Sequence, residues 1–399
     1  MGYLKFSLKS GDAKSSARTG LLKLKHGTIR TPELIPVATK ATVKALSSDD
    51  LKGLGAQALI CNTYHLMLKP GPAIVEKMGG LHKFMNWGRP LLTDSGGFQA
   101  FSLGLGIEHA TGKMSLYFPE DNKGSRKPGK STTYISDKGI SFRSVYDNSR
   151  HFLTPASSIR IQEQLGADMI LALDECTSPM SGREYTAKSL ARTHRWAKES
   201  LDAHVTGQAI AGIVQGGHWK DLRKKSAKYI ASLGFDSLAI GGSLGKSKND
   251  MHKILEWTVP LLPESKPRHL LGIGVVEDIF EAVERGIDLF DCVGPTRQAR
   301  AGYIYARPPL GNVQNKFKFK ITAGKFAADP GPLDPNCQCR VCMNHSRAYV
   351  CHLFNSDELL AYSLASYHNV HFFMALMRDI RQSIQEKRFQ RLKKEWGIL

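Results

Sequence analysis

Met169-Ile170-Leu171-Ala172-Leu173-Asp174-Glu175-Cys176 is an apolar run that halts abruptly on two acids and a thiol. It shows no alternation of apolar and polar residues, the pattern of a parallel strand covered on both faces by helices. The same arrangement recurs on either side. Upstream, Ala56-Gln57-Ala58-Leu59-Ile60 runs into Cys61-Asn62-Thr63, and Pro90-Leu91-Leu92-Thr93 into Asp94-Ser95-Gly96-Gly97. Downstream, residues 210–214 end at Gln215-Gly216-Gly217 and 237–240 at Gly241-Gly242. Residues 269–271 then end at Gly272-Ile273-Gly274, and 287–290 at Asp291. The intervening segments read as helices: 156–165 follows the capping-type Leu153-Thr154-Pro155, and 276–285 is amphipathic with acids in its first turn. Seven such strands alternating with helices predict an α/β protein built as a (β/α)8 TIM barrel. That fold gathers every strand's C-terminal end around one mouth, so the polar clusters are expected to converge.

With 399 residues, 42% of them hydrophobic, the chain has ample material for one large core. Residues 1–9 contain no apolar leader, and no stretch approaches the roughly 18 apolar residues a spanning helix needs. A cytoplasmic protein without a membrane partner is expected. A formal charge of +19 favours polyanions, with nucleic acid the first candidate, although a merely basic surface has the same composition. Seven cysteines, an odd number, do not suit a disulfide framework in so long a chain.

Three of those cysteines crowd into Cys337-Gln338-Cys339-Arg340-Val341-Cys342, which suits one Zn²⁺ and asks for a fourth ligand. His345, Cys351, His352, His368 and His371 are the candidates, and four protein ligands would make the site structural. The barrel is expected over 1–307 and a zinc-binding subdomain with C-terminal helices over 308–399. A basic loop rich in Gly, Lys and Ser, about 104–137, reads as a mobile insertion that either brushes RNA or is simply solvated.

Each strand end carries chemistry. Asp94 offers a proton-transferring carboxylate beside Ser95 and the open backbone of Gly96 and Gly97, although the same residues would also make a tight strand-to-helix turn. Asp174, Gln215 and Gly242 complement the donor and acceptor edge of a purine-like base. Asp291 closes a strand and is followed by Thr296-Arg297-Gln298-Ala299-Arg300, a nucleophile beside a grip for phosphate or guanine edges.

Together, Asn62-Thr63-Tyr64-His65-Leu66, residues 79–85, residues 92–99, Asp174-Glu175-Cys176, residues 214–217, Phe290-Asp291-Cys292-Val293, Pro295-Thr296-Arg297 and the cysteine cluster resemble the tRNA-guanine transglycosylases, or queuine tRNA-ribosyltransferases. The resemblance runs over essentially the whole chain and is closest to the bacterial type. It implies an irregular barrel with an inserted zinc subdomain and a homodimer acting on the anticodon stem-loop. The wobble guanine of tRNAs for Asp, Asn, His and Tyr would be replaced by a 7-deazaguanine, in queuosine biosynthesis. By the same resemblance Asp291 is the nucleophile toward ribose C1′ and Asp94 the general acid/base, in two displacements that retain configuration. Ser95, Gly96, Gly97, Phe98, Asp174, Gln215 and Gly242 form the base pocket. Gly272, Ile273, Gly274, Val275, Val276, Glu277 and Asp278, with Thr296 to Arg300, meet RNA, and Cys337, Cys339, Cys342 and His368 hold zinc.

The chain departs from the family at Ser243-Leu244-Gly245-Lys246-Ser247, where bacterial members usually read Leu-Ala-Val-Gly-Glu, at Gly294, and in the long basic loop. Asp174-Glu175-Cys176 favours 7-aminomethyl-7-deazaguanine as the incoming base, whereas a pocket widened at Gly245 would admit queuine. Two other classes compete. A non-catalytic tRNA-binding subunit need not keep both Asp94 and Asp291, and a metal-dependent hydrolase would need an early His-x-His pair that is missing.

Overall fold

The computed structural model describes residues 3–100, 133–242, 244–245 and 247–398. Eight strands close into a barrel: β1 (Glu33–Ala38), β2 (Leu59–Cys61), β3 (Leu91–Thr93), β4 (Met169–Leu171), β5 (Ala209–Val214), β6 (Ser237–Ile240), β7 (Arg268–Leu270) and β8 (Leu289–Cys292). Each pairs in parallel with its neighbour in sequence, and β8 returns to β1 with Asp291 opposite Ile35. Every residue of β5 is buried, as expected for a strand covered on both faces.

The first barrel strand is absent from the seven expected ones. Pro32 and Pro36 punctuate Glu33–Ala38, and proline normally argues against a central strand because it donates no ladder hydrogen bond. Here the strand is nonetheless fully buried and pairs on both sides, with Pro36 opposite Cys292.

The two helices expected from sequence start within a residue of where they were placed, and a third, Lys248–Thr258, was not expected. Pro155–Leu165 opens on a Thr154 capping box with proline in its first turn and closes on left-handed Gly166. Val276–Glu284 begins with Glu277 and Asp278. Lys248–Thr258 opens on a capping box between Ser247 and Asp250.

An antiparallel sheet of Lys5–Gly11, Arg18–Leu24 and Gly27–Thr31 lies across the N-terminal ends of the barrel strands. Leu22, Leu24 and Ile29 from this sheet pack directly onto the barrel interior of Ile35, Ile60, Leu92, Met169, Leu171, Ile213 and Leu289. Polar staples hold it there. Arg18 pairs with buried Asp288 at 2.6 Å, just before β8, and His26 with Asp168 at 2.7 Å, just before β4. The bottom of the barrel is therefore sealed, and the mouth is the open end.

Residues 104–132 of the expected basic loop lie outside the described residues. Its last part is not a loop: Tyr134–Ser136 is a strand, in an antiparallel sheet with Gly139–Arg143 and Arg150–Leu153. Beyond the barrel, the long helix Leu359–Gln385 packs against β1 and against the short helix Gly294–Arg300 that follows Asp291. Its Arg381 reaches buried Glu33 at 3.0 Å. No helix among the described residues is long and apolar enough to cross a membrane.

Candidate active site

The strand ends do converge. A cavity of about 650 Å³ at the mouth is lined by Asp94, Ser95, Phe98, Asp174, Cys176, Gly242 and Asp291, together with Gly272 to Val275 and Asp278. Val293, Thr296, Arg297, Gln298 and Arg300 complete that wall. Both carboxylates proposed for chemistry thus face one space.

Asp94 follows β3, where its side chain is held by four donors. Thr63 N and Gly96 N donate to Oδ1 at 2.9 and 3.1 Å, Gln99 Nε2 donates to Oδ2 at 2.7 Å, and Asn62 Nδ2 also donates to Oδ2. Burial nonetheless outweighs these bonds and pushes the Asp94 carboxyl up to about 6. A carboxyl near 6 exchanges its proton readily at neutral pH, as a general acid/base requires. Asn62, Thr63 and Gln99 carry this arrangement, and sequence reasoning gave them no role. Their signal was the polar triplet Cys61-Asn62-Thr63 at the end of β2, the neighbouring strand.

Asp174 is buried, and burial likewise raises it to about 6. Gln215 Nε2 donates to its Oδ2 at 2.6 Å, and Ser95 Oγ lies 3.5 Å from Oδ1. Gln215 itself is not on the cavity wall. It stands behind Asp174, with Oε1 buried and, among the described residues, without a hydrogen-bond partner. Gly242 explains that packing: at φ +82°, a Cβ there would fall 1.9 Å from Gln215 Oε1. Gly96 and Gly97 also sit behind the wall, where a Cβ on Gly97 would press on the Asp174 carbonyl at 3.0 Å. Glu175 is turned away and fully buried, bonded by Tyr185 Oη at 2.7 Å and paired with Arg192.

Asp291 ends β8 with its carboxylate largely buried. Gly272 N donates to Oδ1 at 3.1 Å, and His269 Nε2 lies 3.0 Å from the same oxygen. The segments expected to meet RNA divide. Val276 and Ala299 are buried in the main apolar core, so their side chains do not reach the mouth. Glu277 and Asp278 take the ammonium of Lys248 at 3.4 and 3.3 Å. Sequence reasoning missed Lys40, Lys44, Lys316 and Lys318, which join Arg297 and Arg300 around the cavity. They come from distant parts of the chain and become a cluster only on folding.

The sulfurs of Cys337, Cys339 and Cys342 and one nitrogen of His368 lie within 4.8 Å of one another. His368 Nδ1 is 3.2 Å from Cys342 Sγ and 3.6 Å from Cys339 Sγ, close to the ligand separations of a tetrahedron with bonds of about 2.0–2.3 Å. His368 Nε2 donates to the Tyr305 carbonyl at 2.7 Å, which fixes the tautomer and leaves Nδ1 free to ligate. The group has the donor set and spacing to hold a metal. Among its rivals, His371 is nearest, with Nδ1 3.4 Å from Cys337 Sγ. The next residue, Asn369, ties this region to the mouth: its amide donates to the carbonyls of Pro295 and Tyr303 and accepts from Tyr305 N.

His26, His82 and Asp168 form a second compact group at the sealed end. Asp168 accepts from Leu91 N at 2.8 Å and His26 N at 3.1 Å, so its carboxylate already fastens two chain segments to β4.

A family model described as queuine tRNA-ribosyltransferase matches residues 12–397. A putative queuine tRNA-ribosyltransferase of Archaeoglobus fulgidus is 48% identical, covering 98% of this chain and 99% of the relative. Queuine tRNA-ribosyltransferases of Roseiflexus sp. and Caldanaerobacter subterraneus subsp. tengcongensis are 44% and 43% identical. The first of these alignments covers 98% of this chain and 99% of the relative, the second 99% and 97%.

Proposed function

The chain belongs to the queuine tRNA-ribosyltransferase family of pentosyltransferases, and from that premise we propose that it exchanges the wobble guanine of tRNAs for Asp, Asn, His and Tyr for 7-aminomethyl-7-deazaguanine. The observation that carries the reading is the pair of carboxylates on one cavity, Asp94 raised to about 6 and Asp291 at the end of β8.

The wobble nucleotide leaves the anticodon stack and enters the cavity, at a cost of a few kcal/mol that phosphate contacts to the cationic rim offset. Asp291 attacks ribose C1′. The C1′–N9 bond breaks, its electron pair goes to N9, and protonated Asp94 supplies the proton, so guanine departs neutral. Asp94, now ionised, takes the N9 proton of the incoming base. That nitrogen bonds to C1′, the ester breaks, and the carboxylate of Asp291 is restored. Two inversions retain configuration. Asp174, held by Gln215, accepts from the donor edge of either base.

Zn²⁺ bound by Cys337, Cys339, Cys342 and His368 would hold the C-terminal region together and take no part in the displacements. A homodimer acting in the cytoplasm is part of the same reading.

Gly245 bears on the incoming base. It adopts φ +94°, and a Cβ there would fall 2.2 Å from Asp250 Cβ. Backbone conformation and helix packing account for this glycine, and it is not on the cavity wall. This supports the smaller aminomethyl base over queuine. Offering both bases in competition to tRNA charged with labelled guanine tests the preference, and faster exchange with queuine would reverse it.

Mixing enzyme with tRNA and resolving the products on a denaturing gel is expected to reveal a covalent adduct that Asp291→Asn abolishes. An adduct that survives the substitution would remove Asp291 as nucleophile.

A further inference from the structure

His269 is fully buried at the middle of β7, beside β8, yet it is not part of the cavity wall. Neither ring nitrogen makes a hydrogen bond of good geometry among the described residues. Nε2 nevertheless sits 3.0 Å from Asp291 Oδ1, within reach but off the line of a good bond. A buried imidazole left in this state carries the desolvation cost of its polar atoms without compensation, which calls for a reason. Catalytic hydrogen bonds are often poorly aligned before substrate arrives and tighten once it is bound.

Asp291 Oδ1 is approached by a second donor, Gly272 N at 3.1 Å. No donor bond to Oδ2 is found among the described residues, and Asp291 borders the cavity. We propose that His269 is a positioning residue for Asp291: with Gly272 N it holds Oδ1, so that Oδ2 is the oxygen that bonds to ribose C1′. The inference rests on Asp291 being the nucleophile.

The arrangement serves both displacements. In the first, fixing one oxygen aims the other at C1′ and limits the rotation that would misplace it. In the second, the C1′–Oδ2 bond breaks and its electron pair returns to the carboxylate. Charge then redevelops on both oxygens, and Gly272 N together with the His269 N–H, tightened onto Oδ1 once substrate is bound, stabilises it. The imidazole must present N–H at Nε2 to do this.

The test compares His269→Phe, which removes the donor, with His269→Gln, whose amide nitrogen can stand where Nε2 does. Melting temperature is read first, to establish that each variant is folded. For His269→Phe, kcat and the single-turnover rate of adduct formation are expected to fall by about 10²-fold, the scale of a misaligned reacting group, while KM for tRNA and for the base stays within a few-fold. His269→Gln is expected to recover most of that loss. A folded Phe variant with near-normal kcat, or equal losses in both variants, overturns the proposal and leaves His269 a packing residue. If Phe does not fold, a slow but folded Gln variant overturns it alone. Asp291→Asn with His269 intact separates the two ideas: a surviving adduct defeats the nucleophile reading, whereas loss of adduct there with a fast His269→Phe defeats only the positioning role.

Discussion

At the scale of single residues, Asp94 shows how a site stores a functional cost. Its carboxyl is raised from the ordinary 3.8 to about 6 because burial penalises the charge more than Asn62, Thr63, Gly96 and Gln99 relieve it. The folded state therefore holds the proton more tightly than the unfolded chain. Stability that is present below about pH 4 is lost as pH climbs through 6. Asp94→Asn removes the ionisation, so the variant is expected to be more stable than the wild type at pH 8, by at most about 3 kcal/mol, and to lose that advantage near pH 4. Melting curves across that range check it, and a constant difference would contradict the cause given. The carboxylates themselves were legible, because Asp94, Asp174 and Asp291 each stop an apolar run. Their tuning was not, since Asn62 reaches Asp94 from the end of the neighbouring strand and Gln99 folds back on it from five residues downstream. His269 was hidden more deeply: in sequence it merely begins an apolar triplet, and only the register of β7 against β8 places it by the nucleophile.

At the scale of elements, the long helix Leu359–Gln385 does two jobs within two adjacent residues. His368 turns toward the three thiols while Asn369 stitches Pro295, Tyr303 and Tyr305 together. His368→Ala is expected to lower zinc content below one per chain after dialysis, measured by mass spectrometry, and to lower the melting temperature. Unchanged metal content would transfer the ligand role to His371. The cysteine cluster was plain in sequence, but spacing left five candidates for its partner, and it is the fold that brings His368 together with all three thiols. Strand β1 is the opposite case. Pro36 within it and Pro32 just before it hid it, because local propensity argues against a strand that tertiary pairing on both sides nevertheless enforces. The antiparallel sheets escaped notice for a related reason: their short strands lie outside the βα rhythm on which the barrel was recognised.

At the scale of the whole molecule, the net charge of +19 is partly focused where it is useful. Lys40, Lys44, Arg297, Arg300, Lys316 and Lys318 surround one cavity, contributed by segments more than 270 residues apart in sequence. Composition announced a polyanion partner, and only folding gathers these cations on one face. Replacing both Lys316 and Lys318 with alanine is expected to weaken tRNA binding and reduce the slope of log affinity against log salt by about 1.4, some 0.7 for each single-strand phosphate no longer neutralised. Titrations at several salt concentrations measure it, and an unchanged slope would place the phosphates elsewhere.

The N-terminal sheet seals the barrel from below with Leu22, Leu24 and Ile29, and this makes the chamber a cul-de-sac. Among the described residues that sheet leaves no opening at the lower end. Under the proposed mechanism, with the ribose tethered to Asp291 in the entrance, guanine would have to diffuse out past the RNA through the same doorway its replacement enters. Traffic is therefore single file, and a guanine that lingers can be reattached as readily as it was expelled. The direction of net exchange then depends on which base the vestibule admits next, so a wall that looks purely structural shapes the commitment of every turnover.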